Sequence, residues 1–141
     1  MIRLALMLLL CVVACAPAAQ SNAPLTTEDL IEDLNSFSNP VWKASRIDAE
    51  RTVLEAMRAF DAALSAYIVV IKDSGLIVVE ARSAMLERDD VLVLMAFQEQ
   101  SAILGVYDLK NNGSSDPQSL AGRLEVAIVA AMDAKFQRGR L

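Results

Sequence analysis

The chain of 141 residues carries 13 Lys and Arg against 18 Asp and Glu, which gives a formal net charge of −5. This acidic balance argues against a nucleic-acid partner and against electrostatic docking on anionic lipid. Histidine does not occur in the sequence, so the commonest general base and the commonest metal ligand are both missing.

The first predicted element is a signal peptide over residues 1–14. An eleven-residue apolar run follows Arg3, a single basic residue. The run has about the length of a signal-peptide core and is too short for a membrane span, which needs roughly 20 apolar residues. Its end, Val12-Val13-Ala14-Cys15, resembles the lipobox of bacterial lipoprotein precursors. The resemblance implies cleavage before Cys15 and diacylation of this cysteine.

Ordinary secretion is the alternative, with cleavage after Ala18 or Ala19 in a run of small residues. The other cysteine, Cys11, lies within the signal and leaves with it under both interpretations. The mature domain is therefore expected to have no disulfide of its own, although it would lie in an oxidising compartment.

Residues 15–24 are predicted to be a lipidated cysteine followed by a flexible tether rich in Ala, Pro, Ser and Asn. Two acyl chains anchor a protein stably, since each buried methylene contributes about 0.8 kcal/mol. The tether reaches at most about 30 Å when extended, so the folded part is expected to work close to the bilayer. Ala16 stands where the sorting pattern of such lipoproteins places an inner-membrane retention aspartate. The resemblance thus implies the periplasmic face of the outer membrane, with a soluble periplasmic or secreted protein as the alternative.

Residues 25–38 are predicted to form a short amphipathic helix that starts at Thr26-Thr27-Glu28-Asp29. Its apolar face could dock on a partner protein, although packing on the protein's own core is the stronger expectation in so small a domain. Trp42, the only tryptophan, is either an interface anchor or a residue that closes the edge of a core. The candidate partner-binding residues are Leu30, Ile31, Leu34, Phe37 and Trp42.

Residues 39–141 are predicted to form one globular domain. A strand over 41–47 is followed by a helix capped by Asp48. Two runs of β-branched residues, 67–71 and 76–79, flank Asp73-Ser74-Gly75 and predict a β-hairpin. Two further strands are predicted over 91–97 and 102–107, and a closing helix begins at Asp116-Pro117.

These elements predict an α+β fold, in which an antiparallel β-meander packs against two helices after the short N-terminal amphipathic helix. An all-α helical bundle is the alternative, because one apolar stripe runs unbroken from Val53 through Tyr67 to Ile71. The segments between the later strands also lack the glycine or proline that turns usually contain.

The order of a helix, Tyr67-Ile68-Val69-Val70-Ile71, a turn with Asp and Gly, two more apolar strands and a closing helix is similar to that of a group of small Gram-negative envelope lipoproteins. The similarity covers about residues 46–136. It implies a β-meander packed against two helices and an interaction role, and it supplies no catalytic residues.

Two acidic clusters have plain interpretations. Residues 28–33 hold four carboxylates at helical spacing, and a solvated helix face is favoured over calcium binding, since the run lacks the oxygen spacing and glycine of an EF-hand loop. Asp89-Asp90, with Glu87 nearby, is interpreted as a polar loop.

The sequence contains no Ser-His or Cys-His pair, no glycine-rich phosphate loop and no Cys or His metal spacing. We therefore expect no catalytic residues, no metal and no cofactor.

The expected function is that of a membrane-anchored periplasmic lipoprotein acting as a non-catalytic accessory or assembly subunit of an envelope complex. Its expected partners are the membrane, through the N-terminal lipid, and an envelope protein. One alternative is a module that binds a lipid or small hydrophobic ligand, because the predicted strands are apolar on both alternating sets of residues. Another is a structural lipoprotein that associates with itself as a homo-oligomer.

Overall fold

The computed structural model describes residues 26–35, 39–61, 66–73, 75–83, 86, 90–110 and 116–139. Within these residues the chain forms three helices and one six-stranded antiparallel sheet. The strands are β1 (Val41–Lys43), β2 (Ala66–Asp73), β3 (Leu76–Ser83), β4 (Val91–Gln98), β5 (Ser101–Asp108) and β6 (Gln137–Arg138); the helices are α1 (Thr27–Leu34), α2 (Arg46–Phe60) and α3 (Leu120–Lys135). The predicted α+β class is confirmed, and the all-helical alternative is wrong.

The sheet order is β2-β3-β4-β5-β1-β6. Strands β2 to β5 form the predicted meander, in which each strand pairs with the next along the chain. Strand β1 then adds antiparallel to β5, with Val41 opposite Ile103, and β6 adds antiparallel to β1, with Trp42 opposite Arg138. The two-residue β6 was not predicted, because it is too short for a periodic pattern.

Side chains alternate between the two faces of the sheet along each strand. Apolar residues therefore lie on both faces, and helices pack on both. The face that carries Val79, Val93 and Met95 packs against α2 and α3 in the larger core cluster; we call it the α2/α3 face. The opposite face, with Val78 and Leu94, packs against α1 in a second cluster; we call it the α1 face. Strand β4 is buried on both faces over Val91 to Phe97.

Two predicted helix starts are wrong by one turn. Helix α2 begins after Ser45, whose side chain accepts a hydrogen bond from the Asp48 amide at 3.3 Å. Asp48 is not the cap; it lies in the first turn, where its carboxylate complements the helix dipole. The last helix begins after Ser119, because Asp116 accepts a backbone hydrogen bond from Ser119 and forms a turn before the helix.

Candidate functional site

Helix α1 joins the predicted tether to the sheet. A capping box starts it, since the Thr26 hydroxyl accepts from the Asp29 amide at 3.2 Å and the Asp29 carboxylate accepts from the Thr26 amide at 3.0 Å. Leu30 and Leu34 are buried in the cluster on the α1 face, and Ile31 is half-buried against it. These three candidate partner-binding residues therefore pack on the protein's own sheet, which is the alternative that the sequence favoured.

Two other predicted site residues, Phe37 and the lipidation site Cys15, lie outside the described residues. The same is true of Glu87 and Asp89 in the second acidic cluster. Asp90 is described, and its carboxylate lies 3.8 Å from the Lys110 amine. This ion pair is consistent with a polar loop.

A side-chain hydrogen bond ties α1 to strand β5. The Tyr107 hydroxyl donates to the Asp33 carboxylate at 2.7 Å. Burial of the Tyr107 ring raises the pKa of its hydroxyl, and the hydrogen bond to Asp33 raises the pKa further, so the hydroxyl stays protonated and acts as the donor. Asp33 belongs to the acidic run of α1, whose four acidic residues are all exposed, as the prediction of a solvated face requires; Asp33 also accepts the hydrogen bond from Tyr107.

Gly105 creates the space that lets Tyr107 reach α1. The two residues lie on the same face of β5, and a Cβ atom placed on Gly105 would come within 2.5 Å of the Tyr107 ring and hydroxyl. The ring therefore lies over the bare backbone of Gly105. No other residue type leaves this space, so the glycine is needed for close packing rather than for an unusual backbone angle.

Trp42 is fully buried in the larger core. Its indole Nε1 donates to the Asp133 carboxylate at 2.8 Å, and the Arg138 guanidinium lies 4.8 Å from the ring centroid. Arg138 also donates to Asp133 at 2.7 Å, and these hydrogen bonds, that from Arg138 first, hold the pKa of Asp133 below its usual value. This arrangement matches the core-edge interpretation of Trp42 and fixes β6 against α3.

The two edges of the sheet differ in length and polarity. One edge is β6, with two exposed polar residues. The other is β2, which has eight residues and, among the described strands, pairs with β3 alone. Val69 and Val70, adjacent on β2, are 44% and 39% exposed. The other exposed large apolar residues among those described, Ile47 and Val126, stand singly on α2 and α3, as is common on protein surfaces.

The outer edge of β2 is the candidate functional site. No described residue pairs with the outer side of this strand, and a long edge strand with apolar side chains offers a row of backbone donors and acceptors that can pair with another strand. Sequence analysis predicted the strand but did not identify its valines as a site. The meander order contained the signal, since the first strand of a meander stays at the edge unless a later strand pairs with it.

The described residues hold no group of three His, Cys, Asp or Glu side chains placed to bind a metal ion. No helix in this part of the chain is long and apolar enough to cross a bilayer. Comparisons with known protein families, curated proteins and solved structures found no match. The similarity to small Gram-negative envelope lipoproteins therefore stays a prediction.

Proposed function

We propose that this protein is a membrane-anchored periplasmic lipoprotein, held at the outer membrane by a lipid on Cys15, and that it acts as a non-catalytic assembly subunit of an envelope complex. The observation that carries the proposal is the outer edge of β2, eight residues long, with Val69 and Val70 exposed on opposite faces. Soluble proteins usually protect such an edge with charge, proline or a short strand. Strand β2 carries an exposed charge, Lys72, near its end, but its middle exposes two adjacent valines, and this favours association through strand addition.

The path from the anchor to the sheet supports a role close to the bilayer. The predicted tether leads directly into α1, and α1 is fixed to the sheet by Leu30, Leu34 and the hydrogen bond between Tyr107 and Asp33. A lipid on Cys15 would thus hold the sheet within about 30 Å of the membrane surface. A partner reached through β2 would have to lie in the same layer.

The ligand-binding alternative has less support. It depended on a sheet face left without cover, and α1 packs on that face with Val78 and Leu94 fully buried. We therefore favour association with protein over a cavity for a hydrophobic ligand.

The test is purification of the tagged full-length protein from its native envelope in mild detergent, with mass spectrometry of the proteins that accompany it. We expect an accompanying protein near stoichiometry with the wild type, and a reduced amount with Cys15→Ala. Val69→Lys should reduce it also, because a lysine on an edge strand opposes pairing. Val126→Lys is the matched control, since it adds the same charge at a residue that is 66% exposed on α3.

Recovery of the wild-type protein with no accompanying protein would contradict the proposal. Equal losses in Val69→Lys and Val126→Lys would show that the added charge, rather than the edge of β2, weakens the association.

A further inference from the structure

We infer that the partner at the outer edge of β2 is a second copy of this chain, which pairs antiparallel so that two sheets continue into one of twice the width. This inference rests on the proposed function, because it takes β2 as the interaction surface. The second copy occupies the edge of β2, so the paired copies, rather than a single copy, would be the unit that joins the envelope complex. The two-fold axis would pass next to Val69, which would lie opposite Val69 of the second copy.

The first argument is that β2 needs a partner strand that is apolar on both faces. Ile68 packs with the cluster on the α2/α3 face and Ile71 with the cluster on the α1 face. Val70 lies on the α2/α3 face and Val69 on the α1 face, since they pair with Val79 and Glu80 of β3. An ordinary antiparallel strand alternates apolar and polar side chains, so it would place a polar residue beside one of these valines. Strand β2 itself meets the requirement.

The second argument is charge and register. Lys72, near one end of β2, is exposed. Antiparallel pairing about Val69 places Lys72 opposite position 66 of the second copy, so the two lysines lie at opposite ends of the paired strands. Ile68 then lies opposite Val70 of the second copy on the same face. Cross-strand pairs of β-branched residues stabilise a sheet, and no like charges face each other.

The third argument is that, of the two edges formed by the described strands, one is suited to pairing. Strand β6 at the other edge has two exposed residues, Gln137 and Arg138, and the Arg138 guanidinium is bonded to Asp133. A short polar edge resists pairing. Each molecule therefore offers one edge, which is used up when two copies meet, and the result is a closed dimer rather than a fibre.

The anchor adds to this association. Pairing of one strand with its copy buries less area than a stable soluble dimer usually needs. Two copies held at one membrane surface meet at a much higher effective concentration than free molecules. We therefore expect the dimer to depend on Cys15 as well as on β2.

The first test is disulfide cross-linking, in native envelopes, of full-length variants that each add one cysteine. Val69→Cys should give an oxidised dimer well above the wild-type background, which accounts for Cys11 and Cys15. Directly opposite residues have Cα atoms about 4.5–5.5 Å apart, which is within the range of a disulfide. Val70→Cys is the register control, because each Val70 would lie two positions from its copy, about 8 Å away. Val126→Cys controls for exposure alone.

The second test is sedimentation of the detergent-solubilised full chain over a concentration series. We expect the wild type and Val126→Lys to reach twice the chain mass, and Val69→Lys to need about tenfold higher concentration, since it places like charges opposite each other. Far-UV circular dichroism of both lysine variants should match the wild type, which separates loss of pairing from loss of fold.

A wild type that is monomeric at every concentration, with no cross-link from Val69→Cys above background, would overturn the inference. If such a monomer still carries an envelope protein that Val69→Lys releases, the proposed function stands while the inference fails. A dimer that carries no other protein would support the inference and contradict the proposed function. A stronger cross-link from Val70→Cys than from Val69→Cys would overturn the register.

Discussion

Gly105→Ala is the substitution that most directly tests how α1 is held on the sheet. The new methyl group would lie 2.5 Å from the Tyr107 ring and hydroxyl, which is closer than any stable contact. The ring has to move away, because backbone on both sides of Gly105 is fixed in the pairing of β5 with β4. Its hydroxyl then leaves Asp33, to which it donates at 2.7 Å.

Two losses combine in this variant. The hydrogen bond to a charged but exposed carboxylate is worth about 1 kcal/mol, since water can hydrate Asp33 in its place. Moving the buried Tyr107 ring against its neighbours costs a further 1–3 kcal/mol or so. We therefore expect Gly105→Ala to lower the free energy of unfolding by about 2–4 kcal/mol. Without the clash, replacing a strand glycine by alanine would instead raise it by about 0.4–1 kcal/mol, so even the sign is informative.

The assay is urea unfolding of the detergent-solubilised full chain, followed by far-UV circular dichroism. Tyr107→Phe serves as the comparison, because it removes only the hydroxyl and should cost about 1 kcal/mol. In the Gly105→Ala background the same change should cost almost nothing, since the hydroxyl has already left Asp33. If Gly105→Ala is stabilising, or if the two changes simply add, the packing argument for Gly105 is wrong.

Three further predictions use other parts of the fold. Trp42→Phe should lower the free energy of unfolding by about 2–4 kcal/mol in the same assay, because it removes the hydrogen bond to Asp133 and leaves a cavity; a loss below that of Tyr107→Phe would contradict this. Burial raises the pKa of Glu125 from its ordinary value of 4.5. Ionised Glu125 therefore lowers the free energy of unfolding, and this loss grows as the pH rises from 4.5 to the pKa of Glu125 in the folded protein. Glu125→Gln should therefore match the stability of the wild type below pH 4.5 and exceed it increasingly as the pH rises above this value, until Glu125 is ionised in the folded protein; a difference that does not change with pH would count against the assignment. Glu99→Gly should raise the midpoint of thermal unfolding, since Glu99 has φ 55°, a conformation that costs a non-glycine residue about 1 kcal/mol; an unchanged or lower midpoint would show that the turn holds no strain.

The strands were predictable because the residues of each one favour an extended backbone without any help from distant parts of the chain. Runs such as Tyr67–Ile71 and Val91–Phe97 combine β-branched and other apolar residues on both alternating sets, and these runs became β2 and β4 with one or two residues added at the ends. The turn from β4 to β5 was one of the features that counted against a sheet, since it lacks glycine and proline. Glu99 takes a left-handed backbone angle there, and this happens because Gln98 and Ser101 are paired by the strands on either side. The strand pairing determines this turn, and its own residues do not reveal it.

The start of α2 was within reach of sequence analysis. Ser45 and Asp48 stand three residues apart, which is the spacing of a capping pair, and the Ser45 hydroxyl also donates to the Asp48 carboxylate at 2.7 Å. The partners of Tyr107 and Trp42 were beyond it. Tyr107 contacts Asp33 across 74 residues and Trp42 contacts Asp133 across 91. No local pattern encodes such contacts, because only the folded sheet brings these residues together.

The order of the strands in the sheet explains why we propose β2, rather than α1, as the surface for association. An amphipathic helix is easier to recognise in a sequence as a docking candidate than an edge strand is. The apolar side of α1, however, packs on the α1 face of the sheet and buries Leu94 and its neighbours. Helices α2 and α3 cover the other face, and β6 closes one edge with polar residues. The strand apolar on both faces remains at the opposite edge, where no described strand lies on the outer side of Val69 and Val70. A partner that pairs with this edge would complete the border on which the described strands expose backbone hydrogen-bonding groups and apolar side chains together.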